Sequence, residues 1–317
     1  MIKIYLLLSS GGVILNYLAI DFGGTEIKYA LMTKEGEILE KHKKKTPGMD
    51  KSLQDLLSIL DEFIPGYIGR INGIALSLPG MLDSTTGHSY SSGMLVYIAG
   101  RNLPRILSEK YSVPVTVEND GKAAALAELW KGSLQSVENA AVVLLGTAVG
   151  GGLIFNRELY KGNKFSAGEM SFMLTNPDTK EYWGAIGGSK YLIKTVGEKL
   201  EIPLEDLNGY KVFEMANDGN EIVLECLDNY TFAIAQQLYN LQVLLDLDVI
   251  AIGGGISRQP ILHEYIQKNI DKFHNGSLFL QFMDDIPKPK ITVCKFFNAS
   301  NLIGALYHHL KLTNNLY

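Results

Sequence analysis

Two glycine-rich segments are the most informative features of the chain: AIDFGGTEIKYAL, residues 19–31, and VVLLGTAVGGGLIF, residues 142–155. In each, an apolar run typical of a buried strand ends at Gly followed by Thr, so that backbone N–H groups and a hydroxyl can turn toward phosphate oxygens. Either segment alone is equally compatible with a plain hairpin, since glycine is common in hairpin turns. As an ordered pair, they predict a divided phosphate-binding site for a nucleoside triphosphate.

A carboxylate and a third glycine turn extend this predicted site. Asp21 ends the first strand, where it can hold magnesium through water, because hard cations take carboxylate oxygens. The segment VIAIGGGIS, residues 249–257, ends another buried strand with glycines and allows close packing against an adenine or a ribose, although alone it is a generic strand-to-helix turn. The predicted nucleotide-binding residues are Asp21, Gly23, Gly24, Thr25, Lys28, Gly146, Thr147, Gly150, Gly253 and Gly254.

The segment PVTVENDGKAAALAELWKG, residues 114–132, contains the candidate catalytic residue. A strand runs into Asn119 and Asp120 and an alanine-rich helix follows, so the carboxylate of Asp120 can take the proton of a hydroxyl that attacks a phosphoryl group. An Asp at this place often only caps the helix, but its position between the two phosphate segments favours the catalytic interpretation. Asn119 can bind a neighbouring hydroxyl, since its amide both donates and accepts hydrogen bonds.

A second acid, Glu169, lies in KFSAGEMSFM, residues 164–173, between Gly168 and an apolar residue. An unpaired charge in such surroundings is costly, and hydrogen bonds from a pair of sugar hydroxyls would offset that cost. The alternative is a carboxylate that is paired with a Lys or exposed at the tip of a loop. Glu169 is therefore a candidate sugar ligand.

Strands and helices alternate in both halves of the chain, which predicts an α/β fold of sheets covered by helices. Each half opens with strand, glycine turn and strand, so we predict two domains related by structural duplication, with the ligands in the cleft between them. The smaller domain is expected to comprise residues 17–117 and 299–317, and the larger one residues 118–298. Strands are predicted from 17 and at 26–33, 37–44, 71–78, 114–118, 140–145, 152–155 and 249–252, and helices at 51–64, 122–131, 221–245, 300–310 and from 260.

Length and composition exclude several classes of function. A chain of 317 residues with 46% hydrophobic residues can bury two cores of ordinary size. A net charge of −5 and the lack of a basic stripe with interleaved aromatics argue against nucleic-acid binding, and no stretch is long enough to span a bilayer. The two cysteines, Cys226 and Cys294, lie in apolar stretches, which fits a reducing compartment, so we expect a cytoplasmic protein.

The first sixteen residues, MIKIYLLLSSGGVILN, precede the first predicted strand. Their apolar core is short and no small-residue cleavage pattern follows, which disfavours a signal peptide. We expect this segment to be disordered or to result from a mis-assigned start codon, with translation beginning near Leu15.

The motifs, in this order, resemble those of the ROK (repressor, open reading frame, kinase) family of bacterial sugar kinases and related repressors, within the actin, Hsp70 and hexokinase superfamily. DFGGT at residues 21–25 resembles the first phosphate motif, ENDGKAAALAE at 118–128 the catalytic segment, GTAVGGG at 146–152 the second phosphate motif and IGGGIS at 252–257 the adenosine motif. The similarity extends from Tyr17 to about Leu310.

The resemblance implies the two-domain actin-like ATPase (ribonuclease H-like) fold, with duplicated mixed sheets flanked by helices and ligands in the interdomain cleft. It also implies transfer of the γ-phosphoryl group of ATP, with Mg²⁺, to the primary 6-hydroxyl of a glucose-type sugar. Asp120 would be the base and Asn119 a sugar ligand, and Asn102, in YIAGRNLP at residues 97–104, resembles another asparagine that contacts the sugar. A homodimer is expected at the level of the family.

The chain departs from the family pattern at a zinc site that many members carry. Gly168 and Phe172 stand where histidines would be, no cysteine occurs in residues 175–191, and Ala185 or a neighbour replaces a glutamate. A structural zinc site cannot form without thiolate or imidazole ligands, so we predict that zinc is absent. The lost polar groups belong to the anomeric end of the family's sugar pocket, which predicts a substituted acceptor such as a β-glucoside, for example cellobiose.

Three alternatives stay open. An N-acetylhexosamine kinase, acting on glucosamine or mannosamine derivatives, is the nearest, because a widened pocket equally admits an acyl group. A sugar-responsive repressor is disfavoured, since a DNA-reading helix-turn-helix needs a long N-terminal extension. A sugar-sensing regulator without catalysis is disfavoured by the presence of Asp120 and both phosphate segments.

Overall fold

The computed structural model describes residues 15–176, 178–275 and 287–316. Within these ranges the chain forms two compact units: the first contains the residues up to Asn119 and those from Ala305 onward, and the second comprises Asp120–Gly304. The sequence-based boundaries lie at 117/118 and 298/299. The predicted N-terminal extension, residues 1–16, lies outside the described ranges except for its last two residues, and the first strand begins at the second of these.

A mixed sheet forms the centre of the first unit. The strands of this unit are β1 (Asn16–Phe22), β2 (Glu26–Thr33), β3 (Ile38–Lys45), β4 (Ile74–Leu78), β5 (Leu82–Asp83), β6 (His88–Ser89) and β7 (Val115–Asn119). The sheet has the order β3-β2-β1-β4-β7, with the first three strands antiparallel and β1, β4 and β7 parallel, while β5 and β6 form a separate hairpin. Because β1, β4 and β7 are parallel, their carboxyl ends meet at one edge.

The helices of the first unit begin at polar caps. α1 (Leu53–Asp61) follows Ser52, whose hydroxyl accepts the N–H of Asp55 while the Asp55 carboxylate accepts the N–H of Ser52. This capping box explains why α1 begins later than the helix predicted at residues 51–64. α2 (Leu103–Tyr111) follows Asn102, whose side chain accepts the N–H of Arg105.

The second unit repeats the sheet topology of the first. Its strands are β8 (Ala140–Leu145), β9 (Val149–Phe155), β10 (Glu158–Tyr160), β11 (Leu174–Asn176), β12 (Glu181–Tyr182), β13 (Val249–Gly253) and β14 (Ile291–Val293). The sheet has the order β10-β9-β8-β13-β14, again with three antiparallel strands followed by parallel pairing of β8, β13 and β14. The predicted α/β fold with duplicated mixed sheets is confirmed.

Helices cover the second sheet. They are α3 (Asp120–Lys131), α4 (Trp183–Ile186), α5 (Ser189–Leu200), α6 (Gly209–Asn217), α7 (Glu221–Leu245), α8 (Pro260–Asn275) and the start of α9 (Ser300–Leu312), which contains the boundary between the units. α7 has the predicted bounds because Asn220 caps its N-terminus by accepting two backbone N–H groups. Among the described helices, none has the length and apolar character needed to cross a membrane.

A buried carboxylate on α3 connects two distant segments of the second unit. Glu128 is 0% exposed. Its Oε2 atom accepts the N–H and the hydroxyl of Ser133 at 2.8 and 3.0 Å, and its Oε1 atom accepts the N–H groups of Lys295 and Phe296 at 2.9 and 3.1 Å. These four donors offset the cost of burying the charge.

The first unit buries an imidazole beside an aromatic ring. His309 is 0% exposed and lies edge to face against Tyr17, with ring centroids 5.4 Å apart. Its Nδ1 atom is 3.0 Å from Thr116 Oγ1, and a Cβ atom on Gly73 would overlap its ring. Burial, and to a smaller extent the neighbouring His308, lower the pKa of His309 to about 4.

Replacing Glu128 by Gln is expected to lower the free energy of unfolding by about 3 kcal/mol, because an amide NH₂ would then face backbone N–H donors. The control is Glu264→Gln on the exposed side of α8, which we expect to change stability by less than about 0.5 kcal/mol. Denaturant unfolding of both variants measures the difference, and equal stabilities would contradict the bridging role of Glu128.

His309 is expected to make stability depend on pH. Between its ordinary pKa of 6.5 and its native pKa of about 4, the unfolded chain binds a proton that the native protein does not, so stability falls as the pH decreases through this window and levels off below it. Between pH 7 and pH 5 this loss amounts to about 2 kcal/mol, which His309→Gln should remove.

Unfolding at several pH values, followed by circular dichroism, measures this loss in both proteins. Tryptophan fluorescence is less suitable, because Trp130 and Trp183 both lie in the second unit. Parallel stability profiles for the wild type and His309→Gln would show that the buried imidazole does not cause the pH dependence.

Candidate active site

Asp21 lies at the carboxyl end of β1, on the edge where the parallel strands of the first sheet end. It is buried, and Ser77 of the neighbouring strand β4 donates its hydroxyl to Asp21 Oδ1 at 2.9 Å. Lys28 stands directly opposite Asp21 in the antiparallel β1–β2 pair, so both side chains are on the same face. A carboxylate in this position is a hard oxygen donor that fits a magnesium ion.

The first predicted phosphate turn follows immediately. The N–H of Gly23 donates to the carbonyl of Glu26 at 3.0 Å, and the hydroxyl of Thr46 donates to the carbonyl of Gly23 at 2.7 Å. A Cβ atom on Gly23 would lie 2.9 Å from the Glu26 carbonyl, and one on Gly24 would lie 3.0 Å from Met94 Sδ. Gly24 and Thr25 are exposed, so this turn presents backbone groups to solvent in a fixed conformation.

Asn119 ends β7 on the same edge of the first sheet. Its Nδ2 atom donates to the carbonyl of Gly80 at 2.9 Å, and Gly80 has the positive φ of 88° that favours glycine. The next residue, Asp120, is the first of α3, and its Oδ1 atom accepts the N–H of Gly121 at 2.7 Å. The carboxylate thus interacts with a backbone N–H of the first helical turn, and this bond is compatible with its proposed catalytic role.

Asn102 has a structural role that the sequence did not reveal. Its Oδ1 atom accepts the N–H of Arg105 at 3.0 Å and caps α2, and its Nδ2 atom donates to the carbonyl of Thr86 at 2.7 Å. The side chain therefore connects α2 to the β5–β6 hairpin. A primary amide has two N–H groups, so capping and donation to Thr86 use only part of its capacity.

The second predicted phosphate turn lies at the carboxyl end of β8. The carbonyl of Gly146 accepts both the N–H and the hydroxyl of Ser189, at 2.8 and 3.0 Å, which ties the turn to the first residue of α5. A Cβ atom on Gly188 would overlap the carbonyl of Thr147. Thr147 is exposed, so the turn again presents a hydroxyl and backbone to solvent.

The third glycine turn lies beside the second, because β13 pairs in parallel with β8 and Gly253 stands opposite Leu144. Gly254 has a φ of 99°, and a Cβ atom there would overlap the carbonyl of Leu145. Gly150 also lies next to Leu144, but within β9, because this strand begins at Val149 and not at residue 152 as predicted. The second unit thus brings Gly146, Thr147, Gly253 and Gly254 together at one sheet edge.

Glu169 forms an ion pair with a lysine. Such pairing was the alternative to the prediction that Glu169 binds the sugar. Lys122 Nζ lies 2.7 Å from Glu169 Oε1, with side chains 2% and 25% exposed, respectively. Sequence reasoning missed Lys122 as a site residue. The sequence signal that could have identified it is a lone Lys in an alanine-rich run, two residues after Asp120. An ammonium group buried in such a run needs an acidic partner.

A cavity of about 150 Å³ adjoins Glu169 in the second unit. Its wall is mostly apolar and is formed by Leu153, Ser166, Gly168, Met170, Met173 and Leu241 together with Glu169. The cavity is large enough for a small substituent rather than for a complete second ligand.

The residues that stand where the family's zinc-site residues would be differ in packing and exposure. Gly168 has a φ of 80°, and a Cβ atom there would lie 3.2 Å from Gly152 Cα, so the position itself is tight and not open. Phe172 is 72% exposed, Ala185 is exposed, and a Cβ atom on the neighbouring Gly184 would lie 2.7 Å from Ser171 Oγ. In the described part of the chain, no group of three or more His, Cys, Asp and Glu side chains is arranged to hold a metal ion.

The adjacent glycines of the third turn provide a matched test. Gly254→Ala is expected to lower the free energy of unfolding by about 2 kcal/mol, because it combines a positive φ with overlap of the Leu145 carbonyl. Gly255→Ala should cost far less, since no atom lies within 4 Å of a Cβ atom there. Denaturant unfolding and nucleotide binding of both variants measure the contrast. Equal behaviour would contradict the close packing at Gly254.

Comparisons with known proteins identify the family. A profile of the ROK family matches residues 17–311. A beta-glucoside kinase from Listeria monocytogenes is 29% identical over 306 residues, covering 93% of this chain and 98% of the relative. An N-acetyl-D-glucosamine kinase from Photobacterium profundum is 26% identical over 314 residues, covering 93% and 99%.

A solved structure agrees with these relatives. The crystal structure of a ROK family protein from Streptococcus pneumoniae in complex with sucrose has a TM-score of 0.84 and 32% identity to this chain, covering 95% of this chain and 99% of the other. The chain belongs to the ROK family, and it is a sugar kinase with the actin-like ATPase fold.

Proposed function

We propose that this sugar kinase transfers the γ-phosphoryl group of ATP to the primary 6-hydroxyl of a glucose-type sugar, with a β-glucoside such as cellobiose as its preferred acceptor. The turns at residues 23–25 and 146–147 bind the phosphates through backbone N–H groups and hydroxyls, and Gly253 and Gly254 pack against the adenosine. Asp21 is the residue that would hold magnesium through water, and a bound magnesium ion would neutralise phosphate charge.

Asp120 is the proposed general base. It lies on the first turn of α3, at the positive end of the helix dipole, and its Oδ1 atom accepts the N–H of Gly121 at 2.7 Å. The ionised group takes the proton of the 6-hydroxyl as the hydroxyl oxygen bonds to the γ-phosphorus, and the bond from that phosphorus to the β–γ bridging oxygen breaks to release ADP.

The proposed sugar ligands are held by bonds within their own units. The amide of Asn119 is oriented by the Gly80 carbonyl, and that of Asn102 is oriented by Thr86 and Arg105. Glu169 is oriented by Lys122. Side chains fixed in this way lose little further freedom when a sugar binds, which supports their assignment as ligands.

The apolar cavity beside Glu169 is the observation that carries the choice of a substituted sugar. A free anomeric hydroxyl would find few polar partners along Leu153, Met170 and Met173, whereas a glycosidic substituent would bury apolar surface there. A beta-glucoside kinase is among the similar proteins, and sucrose, the sugar bound to the similar structure, is a glucose substituted at its anomeric carbon.

An N-acetylhexosamine kinase is the second candidate. The same cavity has room for an acetyl group, and an N-acetyl-D-glucosamine kinase is also similar along nearly the whole chain. A regulator without catalysis is a third candidate from another class. The presence of Asp120 and of both phosphate turns supports an enzyme instead.

An ADP-release assay with Mg-ATP tests the proposal across glucose, cellobiose, methyl β-glucoside, N-acetylglucosamine, N-acetylmannosamine and fructose. We expect the highest kcat/KM with the β-glucosides. Asp120→Asn should lower kcat by about a thousandfold, because it removes the base. Its melting temperature and ATP affinity should stay near those of the wild type, and Asp50→Asn at an exposed position should behave as the wild type.

The other outcomes discriminate between the candidates. Preference for an N-acetylated sugar would keep the kinase assignment and replace the acceptor. Preference for free glucose over both β-glucosides would contradict the role of the apolar cavity. Sugar binding without ADP release for any acceptor would favour the regulator.

A further inference from the structure

A buried ammonium group lies next to the proposed base, and the reaction itself does not require it. Lys122 is on the first turn of α3, two residues after Asp120, and its side chain is 2% exposed. Moving an ammonium ion out of water is costly, so a buried Lys persists only where a partner holds it. One partner is Glu169, at 2.7 Å and 47 residues further along the chain.

Glycine packing fixes the backbone on both sides of this pair. A Cβ atom on Gly152 of β9 would lie 2.8 Å from Ala125 Cβ and 3.4 Å from Lys122 Cα, so α3 packs directly on the strand backbone. Gly168, which precedes Glu169, packs on Gly152 from its own side. The lysine and the glutamate therefore meet where α3, β9 and the segment of Gly168 pack closely on one another.

The exposure of the two partners is unequal. Lys122 is enclosed, whereas Glu169 is 25% exposed and contributes to the wall of the apolar cavity. An ammonium bound to Oε1 restricts the rotation of the carboxylate. The exposed part of the carboxylate can then accept a sugar hydroxyl without first being ordered.

We propose that Lys122 is a positioning residue, which orients the Glu169 carboxylate toward the sugar and couples it to the helix turn that carries Asp120. This inference rests on the proposed function. Lys122 contacts neither the sugar nor the nucleotide in this arrangement, and it acts on sugar affinity only through Glu169. Its removal should therefore affect the sugar and not ATP.

The experiment uses the full-length protein and three variants: Lys122→Met, Glu169→Gln and the double variant. Lys122→Met should raise the KM for the best acceptor by about tenfold, as expected for the loss of one charged hydrogen bond. The KM for ATP should change by less than about twofold. Because Lys122 acts through Glu169, the double variant should have a sugar KM no higher than that of Glu169→Gln alone.

Controls separate positioning from simple stabilisation. Lys194→Met removes an exposed Lys–Glu pair on α5 and should leave both KM values unchanged. A purely structural role of Lys122 would lower the melting temperature and the active fraction without raising the sugar KM. If Lys122→Met does not fold, the double variant, in which neither member of the Lys122–Glu169 pair is charged, is compared with Glu169→Gln alone.

Two different results would overturn the inference. The role of Lys122 would be overturned, and the proposed function kept, if the wild type phosphorylates sugars and Lys122→Met leaves the sugar KM unchanged. The same holds if the effects of the two substitutions on the sugar KM add up in the double variant. A wild type without turnover would overturn the proposed function. In that case calorimetric titration with cellobiose tests Lys122 separately, because the affinity for the sugar should still be lower in Lys122→Met than in the wild type. Absence of cellobiose binding to the wild type would overturn both.

Discussion

Close backbone packing that only glycine permits is the constraint on which the second unit depends. α3 packs on β9 through Gly152, and a Cβ atom on Gly151 would overlap the carbonyl of Val142 in the neighbouring strand. The turn after β13 requires Gly254 for the same reason, with a positive φ in addition. Where side chains are excluded in this way, strand ends present backbone N–H groups, and these are the groups that phosphate oxygens need. The packing and the proposed binding chemistry thus have one cause.

The two buried charges of α3 differ in how they are satisfied. Glu128 receives four hydrogen bonds from protein donors, and this closed arrangement holds residues 295–296 against the helix. Lys122 is enclosed in the same helix, but its partner Glu169 faces a cavity. A charge with only protein partners contributes to the fold, whereas a pair with one open member can also interact with a ligand. The alanines between these two residues keep the helix close enough to the sheet for both arrangements.

The sequence predicted the elements whose signals are local. The bounds of β2, β8 and α7 agree with the predictions, because alternation, apolar runs and the Asn220 cap are all encoded within a few residues. β9 begins three residues earlier than predicted, because Gly150 and Gly151, which are typical of a turn, are extended strand residues in the structure. The contacts of Asn102 and Lys122 could not be predicted for another reason: their partners Thr86 and Glu169 lie 16 and 47 residues away and are known only from the fold.

The backbone at residue 168 limits which side chains this position can hold. With a φ of 80° and Gly152 Cα close by, this position cannot take a larger side chain without strain, so no nearby substitution restores the missing imidazole. In the proposed acceptor site, recognition on this side rests on one ion pair and an apolar wall. An apolar wall discriminates between similar substituents by only about 1–3 kcal/mol, whereas buried hydrogen-bonding groups reject poor ligands much more strongly. Selectivity among glycosidic substituents should consequently be graded, while selectivity for the hydroxyls that Glu169 and Asn119 are proposed to bind should be strict.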